Sequence, residues 1–171
     1  MRLRRAGIAL ALLIVAVALQ TTLFARLRPF DAAPALVVLT MIGVARRLPA
    51  EDAVVVGFLT GVLQDLLVES PLGLWALTMS TVAFVVARFR SRVEDDPTLL
   101  VPVVFVVTFG ALALFALLGT IFGEKTLADG GVLRKMILPA AYNIVLGLAV
   151  LPGVTALMGG SQRSGLRGFD L

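Results

Sequence analysis

Long apolar runs, each closed by a short polar or basic cluster, divide the chain into six segments: about 6–24, 32–45, 53–68, 72–88, 98–122 and 136–158. A helix that crosses a bilayer needs about 20 mainly apolar residues, with a working range of roughly 17 to 25. The pattern therefore predicts an all-α integral membrane protein, a compact bundle of six transmembrane helices within residues 1–160. The second run is short and stops at Arg46 and Arg47, which predicts a span tilted less than the others or partly buried among them. Only "ESPLG" separates the third run from the fourth. Ser70, Pro71 and Gly73 there predict a tight turn between antiparallel helices. The connections "RFRSRVEDDPT" and "GEKTLADGGVLRK" read as polar loops, and residues 161–171 as a short cytoplasmic tail.

Within the third run the polar positions are not scattered. Gly57, Gly61, Gln64, Asp65 and Val68 recur at i, i+4, i+7, i+8 and i+11, so they share one helix face. Gly57 and Gly61 form a small-xxx-small pair, the device that lets two helix backbones approach closely in lipid. The face reads as the interior or partner-facing side of the span.

Asp65 is the residue that most needs a reason. At 1.5 Å per residue it lies about 18 Å along a span entered near Ala53. A carboxylate near the bilayer centre costs roughly 2.5–3.5 kcal/mol on insertion scales. One reading has Asp65 reaching the interface or capping the neighbouring turn. The other has it facing inward, hydrogen-bonded by polar groups on adjacent spans, with Gln64 and Asn143 as its best partners. Gln20, Thr21 and Thr22 in the first span, Thr78, Ser80 and Thr81 in the fourth, and Tyr142 beside Asn143 in the sixth lie at similar depth. Ser and Thr in such places often bond their own helix backbone; Gln and Asn have less reason to be there.

Composition supports a lipid-dissolved chain. Of the 171 residues 59% are hydrophobic and only 15% charged, with a mean hydropathy of +1.01; a soluble domain carries about 25% charged residues. The absence of cysteine and histidine excludes disulfides, thiol nucleophiles, Cys or His metal sites and the commonest general base. No acidic pair stands at helical spacing inside an apolar run, and the glycines of "LMGGSQRSG" are followed by no phosphate-loop lysine. Neither a catalytic set nor a cofactor or metal site is expected. The pI of about 10.6 comes from basic residues flanking apolar runs, the signature of an orienting membrane protein rather than of a nucleic-acid binder.

With the N-terminus in the cytoplasm, ten basic residues fall inside (Arg2, Arg4, Arg5, Arg46, Arg47, Arg88, Arg90, Arg92, Arg163, Arg167) and five outside (Arg26, Arg28, Lys125, Arg134, Lys135). The asymmetry predicts both termini inside. "MRLRRAGIALALLIVAVALQ" also has the form of a secretory signal, with Ala16-Val17-Ala18 as a cleavage site. The run continues apolar through Leu23 and Phe24, which suits a retained anchor. Arg88, Arg90 and Arg92, followed by Glu94, Asp95 and Asp96, read as a solvated cytoplasmic loop whose arginines meet anionic headgroups or a cytoplasmic partner.

A short helix ending in two arginines, then "EDAVVVGFLTGVLQDLLVESPLGLWAL" and a helix closing on "ARFR", resembles the MreD rod-shape-determining proteins of bacteria. The resemblance is carried by Pro29 before the second span, the Gly57/Gly61 helix, the "DLL" of Asp65 to Leu67 and the "SPLG" turn of Ser70 to Gly73, over residues 29 to 92. It implies a non-enzymatic scaffold of the cell-elongation complex in the cytoplasmic membrane. Such a scaffold would bind an MreC-like membrane-anchored protein and act through it with MreB filaments and peptidoglycan synthases. The family also resembles the six-helix substrate-binding subunits of energy-coupling-factor transporters. A small-molecule-binding transporter subunit is therefore the alternative, with the polar residues at the depth of Asp65, in the outer half of the membrane, as its pocket.

Overall fold

Buried apolar residues from the helices form one continuous core. In the computed structural model, residues 2–24, 32–68, 70–95, 97–124, 127 and 130–159 are described. Among them are six α-helices and no strands: α1 (Arg2–Thr22), α2 (Leu36–Ala45), α3 (Ala50–Leu67), α4 (Leu74–Asp95), α5 (Leu100–Ile121) and α6 (Val132–Leu157), with a 3-10 turn at Pro97–Leu99 before α5. Arg4–Thr22 of α1, Leu100–Ile121 and Val132–Leu157 are long and apolar enough to cross a membrane.

The short α2 is the axis of the bundle. All ten of its residues are buried, and it packs against each of the other five helices. At 1.5 Å per residue it is only about 15 Å long. The helix begins at Leu36 and not at residue 32, because Pro34 disfavours helical backbone in the residue before it. Residues 32–35 are non-helical yet buried at Ala32, Pro34 and Ala35. Non-helical backbone at membrane depth persists only where protein satisfies its polar groups. At its last residue, the Ala35 carbonyl accepts from the Asn143 side chain of α6 as well as from the Leu39 amide of α2.

α3 and α4 form the most intimate pair, an antiparallel hairpin, and α5 and α6 form a second. α1 lies against α2 and α3. At the arginine-rich end Arg90 Nη1 donates to the Leu48 carbonyl at 3.0 Å. Arg47 Nη2 donates to Thr155 Oγ1 at 3.2 Å. Together these bonds tie the end of α2 to those of α4 and α6.

Besides the late start of α2, helices α1, α3 and α6 begin three or four residues before their apolar runs, and α4 ends seven residues beyond its own. The segment of Arg88, Arg90 and Arg92 is not a loop: α4 continues through it to Asp95. Hydropathy falls there, but nothing in "RFRSRVED" breaks a helix, and the break comes at Pro97. α6, in contrast, runs through Pro139 and Pro152, as transmembrane helices do where neighbours re-satisfy the freed backbone groups. Pro29, Arg26, Arg28, Glu69, Asp96, Lys125 and residues 160–171, including Arg163 and Arg167, lie outside the described residues.

Candidate functional site: a polar layer that caps helix starts

The face of α3 that carries Gly57, Gly61, Gln64 and Asp65 is buried, together with Ala53, Val56 and Thr60. It packs on α4 of the same chain. A Cβ added at Gly57 would lie 2.8 Å from the Met79 carbonyl oxygen, and one at Gly61 would run into the backbone of Trp75 and Ala76. These glycines are what allow the hairpin to close. Val68, expected on the same face, ends the helix in extended conformation and is 40% exposed.

That close approach delivers the start of α4 to Asp65, which is 4% exposed. Its Oδ1 accepts from Ser70 Oγ at 3.0 Å and from the Trp75 amide at 3.0 Å. Its Oδ2 accepts from the Gly73 amide at 2.9 Å and the Ala76 amide at 3.2 Å. Trp75 and Ala76 are the second and third residues of α4, whose amides have no partner inside the helix and are the usual targets of an N-cap side chain. Gly73 precedes the helix at φ 101°, a left-handed conformation that favours glycine, and it has no side chain to cap with. Asp65 supplies the cap from the preceding helix, where the positive end of the α4 dipole favours a carboxylate.

The donors to Asp65 are thus the turn hydroxyl and backbone amides, and neither Gln64 nor Asn143 is among them. The expectation of an inward-facing aspartate agrees with this geometry, and so does that of a turn cap, the two having been set against each other. Gln64 is 2% exposed, with no hydrogen-bond partner on its Oε1 among the described residues. Asn143, fully buried, works elsewhere: its Nδ2 donates to the Ala35 carbonyl at 2.9 Å and to Thr108 Oγ1 at 3.1 Å.

Gln20 repeats the device. Its Oε1 accepts from the Val37 amide at 2.9 Å, in the first turn of α2, which has no side-chain N-cap of its own. Gln20 and Asn143 thus hold the start of α2 from both sides, one accepting from the Val37 amide and the other donating to the Ala35 carbonyl, which also accepts from the Leu39 amide. The hydroxyls follow the simpler rule: Thr21, Thr22, Thr78, Ser80 and Thr81 each donate to a carbonyl one turn back in their own helix. Thr108 was not singled out from sequence. Its signal was a lone hydroxyl in the apolar run "VPVVFVVTFG". Trp75 completes the layer by stacking on Phe115 of α5, ring centroids 4.3 Å apart.

Chemically, the arrangement fixes helix starts in a low-dielectric interior. Among the described residues no group of His, Cys, Asp and Glu could hold a metal ion. In comparisons with known proteins, the family model described as rod shape-determining protein MreD matches residues 2–156. No curated protein and no solved structure matches.

Proposed function

The chain belongs to the MreD family of rod shape-determining membrane proteins, and from that premise we propose that it is a six-span scaffold of the bacterial elongation complex. In this reading it sits in the cytoplasmic membrane with both termini inside and binds an MreC-like single-span protein. Through that partner it supports MreB filaments and peptidoglycan synthases. It does no chemistry of its own. The similarity of the bundle to energy-coupling-factor substrate subunits is part of the proposal.

The observation that carries the reading is how the polar layer is used. Asp65, Asn143 and Gln20 form hydrogen bonds that hold helix starts in place. Rigid presentation of an apolar outer surface is what a scaffold in lipid requires, where association relies on packing and not on a hydrophobic drive. A transporter pocket would need those side chains directed at a ligand.

A photo-crosslinking residue placed in turn at Val15, Phe58, Phe84, Val106 and Leu148 samples one exposed position on each outer helix. In native membranes the expected product is a single-span protein, recovered from one or two adjacent helices. Recovery of lipid adducts alone at all five positions would count against the scaffold reading.

Orientation has its own test, motivated by the ten-to-five distribution of basic residues and simple in a chain without cysteine. A thiol introduced at the exposed Leu72 is expected to react with an impermeant reagent applied from outside. Reaction only from the cytoplasmic side would reverse the proposed topology.

A further inference from the structure

Arg46 caps the C-terminal end of α2 at the centre of the arginine-rich end, and it lines two separate crevices. One, of about 360 Å³, lies between α5 and α6, with Val101, Val104, Leu148 and Leu151 among its walls and Thr155 at its polar end. The other, of about 320 Å³, lies between α4 and α5, with Phe89, Val103 and Val106 among its walls and Arg90 beside Arg46. Apart from Arg46, Arg90 and Thr155, every residue lining either crevice is apolar. The two crevices therefore flank the first half of α5 and share Arg46.

We propose that this end of the bundle binds an anionic glycerophospholipid, its phosphate on Arg46 and Arg90 and its acyl chains in the crevices on either side of α5. Charge selects the head. A guanidinium carries five donors in a planar fork suited to phosphate oxygens, so the bond from Arg90 to Leu48 leaves donors to spare. Basic pockets between transmembrane helices are established places for acidic lipid headgroups. The walls select the tails. A free phosphate would leave them uncovered, and a helix, about 10–12 Å across with its side chains, is a poor match for crevices of this volume. A lipid seated there would bridge α2, α4, α5 and α6, reinforcing the bonds of Arg47 and Arg90. The inference needs only that the bundle is embedded in lipid and is independent of the identity of any protein partner.

The full-length protein in a neutral detergent, titrated with dioleoyl phosphatidylglycerol or dioleoyl phosphatidylcholine and read by native mass spectrometry, tests this directly. Phosphatidylglycerol is expected to bind at least about fivefold more tightly, the effect of roughly one arginine near an acidic headgroup. Arg46→Gln with Arg90→Gln should abolish the preference, and Arg46→Lys with Arg90→Lys should retain part of it. Val101→Trp and Val106→Trp, at exposed crevice positions, should weaken binding of both lipids with the arginines intact. Arg90→Gln alone, at an exposed side chain, should reduce the preference if the double variant does not fold. Equal binding of the two lipids, an unchanged preference in the glutamine variants, or displacement by sn-glycerol 3-phosphate would overturn the proposal.

Discussion

Gly61→Ala is expected to be among the most damaging single-methyl additions in the chain. The new Cβ would meet the Ala76 Cα and the Trp75 carbonyl oxygen. Both are backbone, and neither can swing aside as a side chain would. α3 and α4 must separate, which also draws the amides of Trp75 and Ala76 away from Asp65. Overpacking usually costs about 1–3 kcal/mol and occasionally more; this site belongs at or above the top of that range. Gly57→Ala should be milder, since its Cβ would stand 2.8 Å from the Met79 carbonyl oxygen and 3.1 Å from the Met79 carbonyl carbon and the Ala83 Cβ, all longer than the backbone contacts at Gly61. Gly110→Ala, with nothing within 4 Å, should be neutral or gain about 0.5–1 kcal/mol from helix propensity. Trp75, the only tryptophan, sits on the affected hairpin, so its fluorescence during unfolding in mixed micelles reads the order directly. A Gly61→Ala protein as stable as Gly110→Ala would show that the close helix approach contributes little.

Asp65→Leu should be similarly severe for a different reason. It removes the acceptor of four donors, two of them the buried amides of Trp75 and Ala76. A buried donor left without a partner costs about 1–3 kcal/mol, so the two amides together imply a loss on the order of 2–6 kcal/mol. Asp65→Asn retains one acceptor oxygen but turns an amide NH2 toward amide donors. Its expected loss lies between wild type and leucine. The same unfolding assay should give the order aspartate, asparagine, leucine. Asparagine and leucine equal to wild type would mean that water or another group caps α4.

Much of this was legible in the chain. Six apolar runs became six helices, and of the five positions at i, i+4, i+7, i+8 and i+11, Gly57, Gly61, Gln64 and Asp65 lie on one buried face while Val68 leaves the helix and is exposed. What hydropathy missed was the difference between an apolar run and a helix. α4 outlasts its apolar run to Asp95, while α2 starts later than its run because Pro34 interrupts it. The partners of the polar residues were hidden for a more general reason. An inventory of side chains pairs Asp65 with Gln64 or Asn143, because those are the polar groups it contains. Yet the strongest unmet demand in an apolar interior comes from the backbone at helix starts, which every sequence carries and none displays. Asp65 answers that demand for α4 and Gln20 for α2, while Asn143 adds a second donor to the Ala35 carbonyl that already accepts from the Leu39 amide.

The scaffold role proposed above requires a bundle held in register by the Asp65 cap. Cell shape is the most direct readout, in a rod-forming bacterium depleted of its own family member and supplied with the wild-type chain, Asp65→Asn, Asp65→Leu or Gly110→Ala at matched membrane levels. Rods are expected from the wild type and Gly110→Ala, partial rescue from Asp65→Asn, and round cells from Asp65→Leu. Full rods from Asp65→Leu at the wild-type level would contradict that requirement.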